Sequence, residues 1–319
     1  MGERSGFDEG RFQAQLAFQD GVITRQQAFE CGADAAQLRR WLRRRQLVAV
    51  YPGVYVEHTG PLTRNQREWA AVLDAAPAAL SGASAVRVIA RRTVAEDEPV
   101  HLLVDGSRTP VRRPGVVVHR DVHFAERILA GTRPPRQRTE EALLDLAAAA
   151  PTPATAVAIL TDAVGGRLTT ARRLLEALGR RTRISRRRFI IGVLRDIAEG
   201  TCSVLEHGYL TLVERPHGLP GANRQARILH GRPGFRDVDY KRWRVVVELD
   251  GRRWHDDARA RDRDMERDLD AAIEDDRLTL RIGYNQVFDR SCPTGAKIAR
   301  ALTKAGWPGP FRRCPNCPE

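Results

Sequence analysis

Aromatic residues are scarce, at 6% of the chain, so any core has to be built mostly from Val, Leu, Ile and Ala. Lysine is almost absent: Lys241, Lys297 and Lys304 stand against 50 arginines. That skew, in an alanine-rich chain, is what a GC-rich coding bias produces, so a single arginine carries less meaning than usual. The five cysteines (Cys31, Cys202, Cys292, Cys314 and Cys317) are too few and too scattered for a disulfide framework. No apolar run approaches the roughly 20 residues needed to span a bilayer. The start, MGERSGFDEG, is polar and lacks the marks of a secretory leader. These absences create the expectation of a cytoplasmic protein with no membrane partner.

What is present is positive charge. The net charge is +13 and the pI about 10.4, a balance that favours a polyanionic partner, nucleic acid first. The 319 residues suffice for two or three domains. The pattern predicts a multidomain α/β chain with five stretches: 8–58, 61–135, 139–200, 201–307 and a tail at 308–319.

Residues 8–58 read as a small helical unit. RFQAQLAFQDG has helical spacing and stops at Gly21. ITRQQAFECG is a second helix with Thr24 as its N-cap and Gly32 after its end. ADAAQLRRWLRRRQLV is a third. Its Leu38, Trp41, Leu42 and Leu47 form one face, while Arg39, Arg40, Arg43, Arg44 and Arg45 crowd the remainder. VAVYPGVYVE then reads as two strands turned at Pro52–Gly53. Three helices followed by a β-ribbon are the order of a winged helix-turn-helix, whose third helix enters the major groove. The competing reading is a helical domain with a solvated basic face.

Residues 61–135 read as mixed α/β, with a helix at TRNQREWAAVLDAAP, another starting after Ser84, and strands at PVHLLVDG and GVVVHRDV. His101, His119 and His123 lie here with no cysteine nearby, so surface or satisfied histidines are expected rather than ligands. Residues 139–200 are Ala- and Leu-rich helices. RRTRISRRR, with six arginines in Arg180–Arg188, could track phosphates or be a solvated loop and helix start.

Residues 201–307 change character. The order is a helix at SVLEHGYLTLVERPHG, strands at NRQARIL, FRDVDYKRW and RVVVELDG, a charged helix at DDARARDRDMERDLDAAIEDD, a strand at LTLRIGYNQVFD and a closing helix. That α-β-β-β-α-β-α order predicts a mixed sheet flanked by helices. In RVVVELD, Glu248 and Asp250 are two apart, which puts both on one face of a strand. Asp239 precedes them on the neighbouring strand and comes beside Glu248 if the turn falls near Lys241–Arg244. Three carboxylates on one face repel each other unless a divalent cation neutralises them, and oxygen donors suit Mg²⁺ or Mn²⁺. A cation so held activates water and stabilises charge at an attacked phosphate. In a basic chain the natural substrate is a nucleic-acid phosphodiester.

The string SVLEHGYL … NRQ … RDVDY … VVVELDG … H … RDRDMERD … LRI resembles the PD-(D/E)XK nucleases, and within them the compact branch similar to very short patch repair endonucleases. The resemblance covers about a third of the chain and implies a restriction-endonuclease-like domain. By it, Asp239 and Glu248 are metal ligands, Glu206 an auxiliary acid, His255 a group that orients or deprotonates water, and Arg267 a support for the site or a phosphate. Asp250 stands where the wider superfamily carries lysine. A lysine there supplies positive charge near the attacked phosphate, and Lys241 is the one lysine close in sequence. A degenerate nuclease fold that binds DNA without cutting it is the alternative. The stretch ending LVAVYPGVYV, with RTEEALLDLA after it, resembles AbiEi-type antitoxins of bacterial toxin–antitoxin and phage-defence systems. That implies a DNA-binding regulator with a cognate toxin, and leaves a homodimer open.

In the tail, Cys314 and Cys317 form a single CxxC, which gives two of the four ligands a structural zinc needs. Cys292 could be a third, with a histidine as the fourth. The expectation is an unstructured tail without zinc.

Overall fold

The computed structural model describes residues 6–93, 95, 97–199, 203–227, 235–250 and 277–317. The chain divides into two compact units, Met1–Leu143 and Leu144–Glu319. It is a mixed α/β protein with three separate sheets among the described residues.

The first unit opens with α1 (Glu9–Phe18), β1 (Val22–Thr24), α2 (Arg25–Glu30), α3 (Ala35–Arg43), β2 (Val48–Tyr51) and β3 (Val54–Val56). Each helix starts where the sequence supplies an oxygen for the orphan N–H groups of the first turn. Asp8 accepts from Arg11 N at 2.9 Å, and Asp34 accepts from Gln37 N at 2.6 Å. Thr24 and Gln27 form a reciprocal capping box. Gly53, at φ +82°, makes the turn between β2 and β3, a conformation that costs glycine little. The three strands pair antiparallel in the order β1-β3-β2. Phe12, Leu16, Ile23, Leu38, Leu47 and Tyr55 form the core beneath them.

The rest of this unit is a five-stranded mixed sheet ordered β6-β5-β4-β8-β7, built from β4 (Ala78–Leu80), β5 (Val100–Asp105), β6 (Val116–Asp121), β7 (Ile128–Leu129) and β8 (Arg136–Gln137). Helices α4 (Arg64–Asp74), α5 (Gly82–Ala90) and α6 (Phe124–Arg127) accompany it. Glu68 of α4 is fully buried and is held by Arg64 at 3.0 Å and Arg87 at 2.5 Å. The N-cap position of α5 is Ser81 rather than Ser84. Ser84 lies inside the helix, where its hydroxyl accepts from His101 N at 2.9 Å.

The second unit begins in α7 (Thr139–Ala149) and continues through α8 (Pro153–Gly165), α9 (Ala171–Arg180), α10 (Arg187–Glu199) and α11 (Ser203–Gly208). Tyr209–Glu214 extend α11 as a π-helical turn. A four-stranded sheet follows, ordered β12-β11-β10-β9, from β9 (Asn223–Arg227), β10 (Phe235–Tyr240), β11 (Val245–Leu249) and β12 (Leu278–Ile282). The first three are antiparallel and β12 runs parallel to β11. Helix α12 (Ser291–Lys304) closes the unit. Val238, Tyr240, Val245, Val247 and Leu249 are buried. Tyr240 meets Tyr209 hydroxyl to hydroxyl at 2.8 Å, which ties the π-helical turn to β10.

Candidate functional site

The hairpin turn between β10 and β11 falls at Lys241–Trp243, with Arg244 left-handed at φ +54°. Its register sets Asp239 opposite Val246 and Val238 opposite Val247. Continued by one residue, the same register sets Asp237, not Asp239, opposite Glu248. Side chains alternate between faces along a strand, so Asp237, Asp239, Glu248 and Asp250 all belong to one face. The apolar series Val238, Tyr240, Val245, Val247 and Leu249 takes the other. Asp237 went unnoticed in the sequence, although the two-residue period counted back from Asp239 points to it.

Asp237 also closes the ladder. Its carboxylate accepts from Leu249 N at 2.7 Å, in place of a carbonyl from β10. On its other side β11 keeps its partner, since Asp250 N donates to Ile282 O at 2.9 Å. Burial pushes the Asp237 carboxyl above the ordinary range, the Leu249 N–H opposes that, and the Asp250 charge adds to it.

Cations reach this face from β12 and from the residue just before it. Arg277 donates to Asp239 at 2.6 Å, and both side chains are largely buried. Arg281 sits in parallel register with Glu248. Lys241, the lysine close in sequence, is exposed in the turn, and the cation on Asp239 is Arg277. Glu206 stands half-buried in the first turn of α11. That helix runs on to Tyr209, which meets the sheet at Tyr240, a residue of the face opposite the acids. Glu214 follows on the same turn. It accepts from Arg224 at 2.8 Å and Tyr240 at 3.2 Å, and burial raises its pKa while Arg224 opposes the rise. His255 and Arg267 lie outside the described residues, as does the charged helix expected at 256–276.

In the first unit, Arg39, Arg40, Arg43, Arg44 and Arg45 are all exposed. At 3.6 residues per turn, Arg39, Arg43, Arg40 and Arg44 fall in one arc of about 140°. Leu38, Trp41 and Leu42 occupy the opposite arc, against the core. Three of the six arginines of Arg180–Arg188 serve the second unit's own structure, while Arg180, Arg183 and Arg188 are exposed. Arg181 pairs with Asp145, Arg186 donates to Ala150 O at 2.6 Å, and Arg187 donates to Arg181 O at 2.7 Å. His101 and His119 stack at 5.4 Å with Nδ1 and Nε2 3.1 Å apart, a pair of satisfied histidines.

The tail differs from its expectation. It is placed through Cys317, and Arg312 N donates to His217 O at 3.0 Å. His217, Cys292, Cys314 and Cys317 bring one ligand atom each within 4.8 Å of one another. The sequence does not single out His217, because it lies 75 or more residues from Cys292, Cys314 and Cys317.

No protein-family model matches the chain, and no curated protein matches it. Among solved structures, the RV2827C protein from Mycobacterium tuberculosis is similar at 20% identity and a TM-score of 0.36, over 60% of this chain and 78% of that one. No helix among the described residues is long and apolar enough to cross a membrane.

Proposed function

We propose that the chain is a DNA-acting protein whose second unit hydrolyses phosphodiesters with Mg²⁺ or Mn²⁺. The observation that carries this reading is the acidic face of β10 and β11, with Asp237, Asp239, Glu248 and Asp250 on one side of a hairpin. The donors are all carboxylate oxygens, the set a hard cation takes. The Asp237 carboxyl is raised first by burial and, to a lesser degree, by the charge of Asp250, and a cation on this face would offset both. Asp239 and Glu248 would hold the ion, with Asp250 beside them. Bound there, it would supply Lewis-acid polarisation of a phosphate and a more acidic water. The chain's own part is to fix the carboxylates: Arg277 holds Asp239, and the Leu249 N–H holds Asp237.

Docking on DNA falls to the first unit. The order α1-β1-α2-α3-β2-β3, with the sheet ordered β1-β3-β2, supports a winged helix-turn-helix in which α3 is the recognition helix. The exposed arginine arc of α3 would meet phosphates and base edges.

The test is Mg²⁺ and Mn²⁺ titration by calorimetry on wild type and on Asp239→Ala/Glu248→Ala, with plasmid nicking alongside. Ion binding and nicking should both disappear in the double variant. Nicking unchanged in Asp239→Ala, in a nuclease-free preparation, would sink the proposal.

Two observations favour a second reading, a non-catalytic DNA-binding regulator or antitoxin with a degenerate nuclease fold and a cognate toxin. Arg277 already neutralises Asp239, and an aspartate occupies the position of the superfamily lysine. Under that reading operator binding survives loss of the carboxylates and fails when the α3 arginines are neutralised.

A further inference from the structure

Four side chains from three distant stretches converge at the end of the second unit. His217 follows the π-helical turn, Cys292 lies in the first turn of α12, and Cys314 and Cys317 belong to the tail. The Cys292 and Cys314 sulfurs are 3.4 Å apart, those of Cys314 and Cys317 3.8 Å, and Cys317 Sγ is 3.5 Å from His217 Nε2. A tetrahedral zinc with Zn–S of about 2.3 Å and Zn–N of about 2.0–2.1 Å requires S···S edges near 3.8 Å and S···N edges near 3.6 Å. A disulfide requires about 2.05 Å between sulfurs and uses only two of the four groups.

The histidine is prepared for the same task. Its Nδ1 lies 2.8 Å from Val213 O. A carbonyl only accepts, so Nδ1 carries the proton and Nε2 presents its lone pair to the sulfurs. The ring is fully buried and stacks on Phe311 at 5.2 Å and 8°. Gly295 of α12 lies so close that an added Cβ would stand 2.9 Å from Nδ1, so the helix leaves that space to the imidazole. Cys317 N donates to Cys314 O at 3.0 Å, which makes the CxxC turn that aims both sulfurs inward.

From this convergence we infer that His217, Cys292, Cys314 and Cys317 bind one zinc ion. Four protein ligands leave no open position, so the ion is structural. It fastens the tail and the start of α12 to the end of the π-helical turn, which Tyr209 joins to β10. The inference does not rest on the nuclease reading, because none of its ligands belongs to the acidic face.

The experiment uses the full chain, purified under reducing conditions without added metal. Elemental analysis should find about one zinc per chain. Replacement by Co²⁺ should give the intense visible and near-ultraviolet bands of tetrahedral cobalt with thiolate ligands. Cys314→Ser/Cys317→Ser should lose the zinc at least tenfold, and Gly295→Val should weaken it by crowding the imidazole. Trypsin should spare Arg312 and Arg313 in the loaded protein and cut there after chelation. Should the double variant fail to fold, titrating the wild-type thiols with a mercurial keeps the test open: zinc should leave in step with modification of three cysteines. The inference is overturned by zinc retained in a folded double variant, by no zinc and no cobalt bands in the wild type, by iron in place of zinc, or by a Cys292–Cys314 disulfide in the native protein.

Discussion

Neutralising Arg39 and Arg43 together tests whether α3 faces DNA, and its size follows from the helix geometry. The two are four residues apart, about 40° from each other on the exposed arc, with Arg40 and Arg44 beyond them. A phosphate backbone laid along the arc would meet both. Each contact releases condensed counterions and contributes about 0.9 to the slope of log K against log salt. At 0.15 M salt that amounts to roughly fivefold in affinity per arginine, and about thirtyfold for the pair. Arg39→Gln/Arg43→Gln should therefore flatten the salt slope by about 1.8. The assay is fluorescence anisotropy on a labelled duplex between 0.05 and 0.3 M salt, over which the Debye length falls from about 14 to about 6 Å. Both side chains are exposed and stand outside the core of the first three helices, so the thermal transition should stay put. Arg172→Gln/Arg173→Gln, on the exposed surface of α9, serves as the control for net charge. An unchanged slope in the double variant, or an equal loss in the control, would refute docking through α3.

Asp237→Asn keeps the acceptor for Leu249 N and removes a charge that burial and Asp250 disfavour. The raised carboxyl costs nothing below the ordinary carboxylate pKa of about 3.9, and the cost grows as pH rises through the higher folded value. The variant should unfold at higher denaturant than wild type at pH 7, with the gap closing toward pH 3.5; a gap independent of pH would contradict the assignment. Glu68→Gln leaves Arg64 and Arg87, both largely buried, facing an amide. Breaking such a buried cluster costs about 3 kcal/mol, which hydrogen exchange should register in α4 and α5; a loss under about 1 kcal/mol would mean that water reaches the cluster. Burial, and then the charge of His119, hold His101 below the ordinary histidine range. Stability from neutral His101 is complete above about pH 6.5 and is lost as pH falls through the lower folded value. His101→Gln should therefore flatten the acid side of the first unit's melting profile, and a profile that stays steep would remove the histidine pair as its cause.

The elements most readable in the sequence are those whose signals are local. The N-cap at Thr24, the Pro52–Gly53 turn and the apolar face of α3 each lie within a few residues. So does the β10–β11 turn, because Lys241–Arg244 separates two strands of opposite character. Short strands were harder. Val22–Thr24 and Ala78–Leu80 are three residues each, too brief to display a period, and each is fixed by partners distant in sequence. Arg277 was invisible for a related reason. Its meaning comes from the parallel pairing of β12 with β11, which no spacing announces. His217 is the extreme case: Cys292 could be named beside the CxxC as a candidate third ligand, but only the folded unit shows which histidine joins them.

The acids at the end of a buried strand have a physical explanation in the ladder itself. Strand β11 pairs with β10 through Val245, Val246 and Val247, and with β12 through Leu249. Beyond Val247 the β10 side no longer supplies a carbonyl, and the Asp237 carboxylate takes over the Leu249 N–H. Glu248 and Asp250 flank Leu249 on β11, and Asp237 faces it from β10. The carboxylates of this face meet donors: Asp237 takes the Leu249 N–H, Asp239 takes Arg277 just before β12, and Arg281 of β12 lies in register with Glu248. The acids at the strand end are therefore accounted for by the donors they meet: the Leu249 N–H for Asp237 and the Arg277 guanidinium for Asp239.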